Sequence, residues 1–114
     1  MGWRTTAWTV SLAISLPAYA EILPAGSEFQ INTYTTSTQY TNRQAVCRNE
    51  AGDFVVVWDG RGEDDPSTTA YGVFGQRFHR DGTRAGTEFQ ANTYTTGDQF
   101  FSEVACDPTG NFVL

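Results

Sequence analysis

Apolar and polar positions alternate with a period of two along several short stretches of the chain. In Glu28 to Tyr34, Phe29 and Ile31 fall on one face and Gln30 and Asn32 on the other, the pattern of a half-buried strand. In Glu88 to Tyr94, Phe89 and Ala91 hold the apolar face. Thr and Tyr enrichment in both stretches favours strand over helix. Gln44 to Arg48 predicts a short strand. Asp53 to Trp58 (DFVVVW) is a continuous β-branched and aromatic run, which suits a strand covered on both faces. Tyr71 to His79 (YGVFGQRFH) predicts another, with Phe74, Gln76 and Phe78 on one face. Its Gly72 and Gly75 mark places where a neighbour packs close.

The connections carry turn chemistry. Asp107-Pro108-Thr109-Gly110 places Asp, Pro and Gly where a type I turn wants them, and the matching loop, Asn49 to Gly52, reads as one residue longer. Asp81-Gly82 is a hairpin signal joining the Tyr71 strand to the Glu88 strand. A long acidic loop containing Pro66 runs from Asp59 to Ala70. No segment after residue 20 predicts a helix.

The pattern repeats. Gly26 to Thr36 (GSEFQINTYTT) and Gly86 to Thr96 (GTEFQANTYTT) agree at nine of eleven positions. Gln39-Tyr40 answers Gln99-Phe100, Cys47 answers Cys106, and Gly52-Asp53-Phe54-Val55 answers Gly110-Asn111-Phe112-Val113. This places repeat 1 at about 26–85 and a partial repeat 2 at about 86–114. The expected fold is all-β, with antiparallel four-stranded repeat units of a β-propeller-like array. A solenoid or a string of sandwiches is the alternative, although a sandwich needs about seven strands per domain. The second copy stops at Leu114 inside a predicted strand, so the array reads as truncated after about one and a half repeats. Such units do not bury both faces alone, so further repeats of the same chain are the first expected partners. On that basis residues 21–114 alone are expected to aggregate or stay partly unfolded.

The first twenty residues read as a secretory signal peptide. Arg4 is followed by a mostly apolar stretch, Ala7 to Leu16, then Pro17 and Ala18-Tyr19-Ala20, a cleavage-site pattern that would leave Glu21 as the new N-terminus. A membrane anchor is the competing reading, but a span needs about 20 apolar residues. The chain is therefore expected to be secreted or on the cell surface, with no membrane span. Without Arg4, six arginines and no lysine face thirteen Asp and Glu, leaving −7. That balance argues against nucleic acid and against anionic lipid.

The string VFGQRFHRDGTRAGTEFQANTYTTGDQ (Val73 to Gln99), followed by VACDPTGNFVL (Val104 to Leu114), resembles a tandem GQRF / EFQVNTYTT / DGDFVVVW-type β-repeat of large secreted bacterial proteins. The likeness covers nearly all of residues 26–114. It implies an extracellular location and a propeller-type or other β-repeat architecture, and it carries no catalytic activity with it.

Candidate chemistry is sparse. Cys47 and Cys106 invite a disulfide in an exported chain, provided their Cα atoms lie within about 7 Å. They could instead be small buried apolar residues or pair with another cysteine. Asp59, Glu63, Asp64 and Asp65 are oxygen donors that calcium could use, but their spacing fits no hand-type loop and a solvated acidic loop is the preferred reading. His79, the single histidine, reads as an exposed turn residue. Arg43, Arg48 and Arg77 are too scattered for a sialidase-like cluster, and Arg77 is expected to pair with Glu28 or Glu88. Trp58, Tyr71 and Phe101 could line a sugar-binding face, with core packing favoured for Trp58. No catalytic residue, cofactor or metal is assigned. The expected function is a non-enzymatic extracellular scaffold for adhesion or for binding a protein or glycan. A propeller-type glycan-active enzyme and a structural spacer are the alternatives.

Overall fold

The computed structural model describes residues 26–65, 67 and 69–114. The signal peptide expected at residues 1–20 lies outside the described residues. Among those residues the chain is all-β, with antiparallel sheets and no helix. The strands are β1 (Gln39–Tyr40), β2 (Val46–Arg48), β3 (Phe54–Arg61), β4 (Tyr71–Phe78), β5 (Phe89–Gln90), β6 (Ala105–Cys106) and β7 (Phe112–Val113).

β3 and β4 form the centre of the main sheet, paired from Phe54↔Phe78 to Arg61↔Tyr71. β2 and then β1 line up along the outer edge of β3. β5 closes the other side on β4. The order β2–β3–β4–β5 is the antiparallel meander expected from the sequence. Its fourth strand, however, comes from the Gly86 segment, so the sheet straddles the boundary that the sequence repetition suggests. The equivalent stretch Glu28 to Tyr34, expected as a strand, forms none. Among the described residues no strand lies beside it as β4 lies beside β5. It instead lays Phe29 onto Phe78, with ring centroids 5.5 Å apart.

Alternation along β3 separates two faces. One carries Phe54, Val56 and Trp58, matched on β4 by Phe78, Gln76 and Phe74. Phe54 stacks on Phe78 at 5.1 Å, and Phe78 is 1% exposed. A phenylalanine buried to that degree stabilises by about 1.5–3 kcal/mol. The opposite face carries Cys47, Val55 and Val57, and it is covered by the second sheet, β6–β7. Val55, Val57 and Val104 form a buried cluster, with Phe89 and Phe112 packed against it. Both faces of β3 are thus covered, which is why its sequence is an unbroken apolar run.

The two hairpins close in the same way. Asn49 N donates to Asp53 O and Gly52 N to Asn49 O; Asp107 N donates to Asn111 O and Gly110 N to Asp107 O. The strands end at the pairs Arg48↔Phe54 and Cys106↔Phe112. The loops are therefore equal in length, and the extra residue read into the first is corrected. A further correction follows from this register. Cys106 occupies the hairpin position of Arg48, one residue beyond that of Cys47. Neighbouring residues on a strand point to opposite faces, so this offset turns the two cysteines toward each other across the gap between the sheets. They form a disulfide, with Cα atoms 5.6 Å apart.

Candidate functional site

The features that can meet a ligand gather at one end of the main sheet, where β3 finishes and β4 begins. Asp59 is the anchor. It is 3% exposed, yet both of its oxygens are used. Oδ2 accepts from Asn42 Nδ2 at 2.8 Å and from Phe101 N at 2.9 Å; Oδ1 accepts from Ser102 Oγ at 2.6 Å and Ser102 N at 3.3 Å. A buried carboxylate this well supplied with donors is held firmly. It ties the segment after β1 to the segment before β6.

Around that anchor lies a ledge of rings. Tyr40 meets Tyr71 at 5.9 Å, Tyr71 meets Phe100 at 6.3 Å, and Phe100 meets Phe101 at 4.6 Å. Tyr40 is 53% exposed and Phe101 74%. Phe101 also has a φ of 65°, a left-handed backbone that costs a bulky residue roughly 1–2 kcal/mol. Its amide is fixed by Asp59 while its ring stands in solvent. The rim of the ledge is polar. Asp98 Oδ1 accepts from Tyr71 N at 3.1 Å, and Arg61 Nε donates to Thr69 O at 3.1 Å. The Tyr71 hydroxyl is pushed above its ordinary pKa, first by desolvation and then by the neighbouring Tyr40.

The acidic loop folds toward the other face. Gly60 and Gly72 pair across the sheet, and a side chain at Gly60 would run into the Glu63 carboxylate. Glu63 accepts from Trp58 Nε1 at 3.4 Å. Its pKa is raised from 4.5 to about 8, first by burial and then by a hydrogen bond with Glu88. Glu88 in turn accepts from Thr33 N at 2.7 Å, and Asp64 accepts from Gln90 Nε2 at 3.2 Å. The carboxyl pair lines an open hollow of about 410 Å³ with Thr33, Tyr34, Phe74 and Gln90.

This placement sorts the residues singled out from sequence. The four calcium candidates do not converge. Asp59 faces the second sheet, Glu63 and Asp64 lie on the opposite side, and Asp65 is held in its own turn by Ser67 at 2.7 Å. Among the described residues no group of three or more His, Cys, Asp or Glu could hold a metal ion. Arg77 does not pair with Glu28 or Glu88. Phe89 opposes Gly75, so Glu88 falls opposite Gln76, on the other face of the sheet from Arg77. Arg48 and Arg77 likewise point to opposite faces. His79 is exposed, its Nδ1 3.8 Å from Asp53 Oδ1. Trp58 is buried in the core at 2% exposure, whereas Tyr71 and Phe101 belong to the ledge.

No family model, curated protein or solved structure matches this chain. No helix among the described residues is long and apolar enough to cross a membrane. Two members of the site were not singled out from sequence. Tyr40 and Phe100 sit at one shared position of the two copies and were read only as part of the repetition. Asp59 was read as a loop acid, although it directly follows the buried run.

Proposed function

We propose that the chain is a secreted or cell-surface β-repeat scaffold, propeller-like in architecture, that binds a ligand or mediates adhesion without catalysing a reaction. The exposed aromatic ledge carries this reading. Four rings at one end of a sheet, on a base fixed by Asp59 and the Cys47–Cys106 bond, make a rigid binding platform of the kind that loops on a scaffold usually provide. The face-to-face packing of two hairpins with the same turn bonds supports an array of similar units. The disulfide suits an oxidising compartment, and N-terminal sequencing of the exported chain tests that part. A start at Glu21 supports export, and retention of Met1 refutes it.

The binding test uses arrays of immobilised extracellular proteins and glycans. Saturable binding is expected, and it should be lost in a Tyr40→Ala/Phe101→Ala variant. Equal signals from the parent chain and the variant on every surface would remove the basis of the reading.

One observation favours the enzymatic alternative: a carboxyl group with a raised pKa beside a second carboxyl in a hollow. Glu63 accepts from Trp58 Nε1 and Glu88 from Thr33 N, however, so each carboxyl is engaged within the chain. The pair serves better as a loop fastening.

A further inference from the structure

We propose that the Tyr40–Tyr71–Phe100–Phe101 ledge is a platform for a neutral or amino-sugar polysaccharide chain. The inference rests on the scaffold reading above and names its ligand class. Three observations carry it.

The first is Phe101. Its left-handed backbone (φ 65°) and its 74% exposure are both unfavourable in the free chain. Strain of this kind persists where the surroundings impose it, and it clusters at ligand sites. Here Asp59 imposes it through the Phe101 amide, and the result is a ring held outward rather than folded into the core.

The second is composition. The polar residues tied into the ring-bearing edge are Thr38, Asp98, Gln99 and Arg61. Arg61 N bonds Thr38 O at 3.0 Å and Gln99 N bonds Tyr71 O at 2.8 Å, so these polar residues are built into the same edge. A pyranose ring has C–H groups on its faces and hydroxyls at its rim. Aromatic faces bordered by hydroxyl, amide and carboxylate groups match both parts, and tyrosine itself combines an apolar body with a polar tip.

The third is charge and direction. The chain has a net charge of −6, and Asp98 lies directly on the rim. An anionic glycan would be repelled, whereas a neutral or cationic one would not. Tyr40 and Phe100 occupy one shared position of the two sequence copies, linked through Tyr71. The rings therefore form a connected series of four, which favours an extended chain over a single sugar.

The test is affinity electrophoresis of the full chain, with its disulfide formed, in gels containing laminarin, chitosan oligomers or polygalacturonate. Laminarin or chitosan is expected to retard it and polygalacturonate is not. Phe101→Ala and Tyr40→Ala should each weaken the interaction at least tenfold. Val46→Ala, which removes an exposed side chain outside the ledge, should leave it unchanged. Retardation by none of the three polymers, equal retardation by polygalacturonate, or full retention of binding in the ring variants would each overturn the proposal. If the ring variants instead abolish binding to a protein surface or self-association in sedimentation, the glycan assignment falls while the scaffold reading stands. Ring-dependent binding with shortened glycan products would support the ledge and refute only the absence of catalysis.

Discussion

Removing the Cys47–Cys106 bond should unlatch the second sheet from the first. The bond closes a loop of sequence separation 59. Chain-entropy arithmetic for a loop of that size gives about 4 kcal/mol of stabilisation, acting by restricting the unfolded chain. Folded domains are stable by only about 5–15 kcal/mol, so this is a large share. It also exceeds what any single side chain of the buried cluster provides by area, about 1.5–3 kcal/mol. The perturbation is the Cys47→Ala/Cys106→Ala double variant, compared with the oxidised parent by urea unfolding at fixed pH. Taking a slope of about 1.3 kcal/mol/M for a chain of this size, the midpoint should fall by about 3 M. Far-ultraviolet dichroism should report this main transition. A probe on Phe112 should report an earlier one, because beyond Val104 the second hairpin then keeps only the packing of Phe112 and the Glu50 N to Pro108 O bond. A fall below about 0.5 M, with the slope unchanged and both probes coincident, would refute the reasoning.

Other perturbations separate the remaining contacts. The Glu63 carboxyl has its pKa raised from 4.5 to about 8 in the folded chain, so its contribution is complete below pH 4.5 and is lost as pH rises toward about 8. Glu63→Gln should flatten the decline in melting temperature across that window; an unaltered pH profile would show that the carboxyl plays no part. Gly75→Ala would bring a Cβ within 2.7 Å of the Phe89 ring and should cost about 1–3 kcal/mol. Gly26→Ala, with nothing within 4 Å, should stay within about 0.5 kcal/mol, and equal melts for the two would contradict the packing described. Asp59→Asn replaces one of two acceptor oxygens with a donor, which then faces either the Asn42 and Phe101 N–H groups or the Ser102 N–H. It should cost about 2–3 kcal/mol by calorimetry, and a loss under about 0.5 kcal/mol would show the anchor to be dispensable.

The strands that alternation and turn chemistry mark are largely where they belong. The DFVVVW run became β3, Tyr71 to His79 became β4 with its last residue left out, and the Asp107 turn closes with the Gly110 N to Asp107 O bond. These features are local, set by side chains within a few residues of one another. Sequence reading was weaker wherever pairing across strands decides the outcome. Arg77 and Glu88 looked like partners because their strands are adjacent, but the register of β5 on β4 puts them on opposite faces. The two EFQ segments are nearly identical in sequence, yet among the described residues only the second has a strand beside it to pair with. The cysteines looked equivalent because an alignment can absorb a one-residue gap that a hairpin ladder cannot. Asp59 illustrates the same limit at the site. An acid after a buried run reads as the start of a loop, and its four donors come from residues 42, 101 and 102, two of which lie far along the chain.

The single-residue stagger of the sulfurs has a bearing on how such a protein could arise. Two faithful copies of one hairpin, laid one upon the other, would present a cysteine at a common position to the same side, leaving one thiol aimed at its neighbour and the other aimed away. Stacked in the same sense, they could form no cross-link however close the backbones came. A covalent seam between successive copies therefore requires that they differ in the parity of that one position. The bond marks the point where the two hairpins depart from exact repetition of one another.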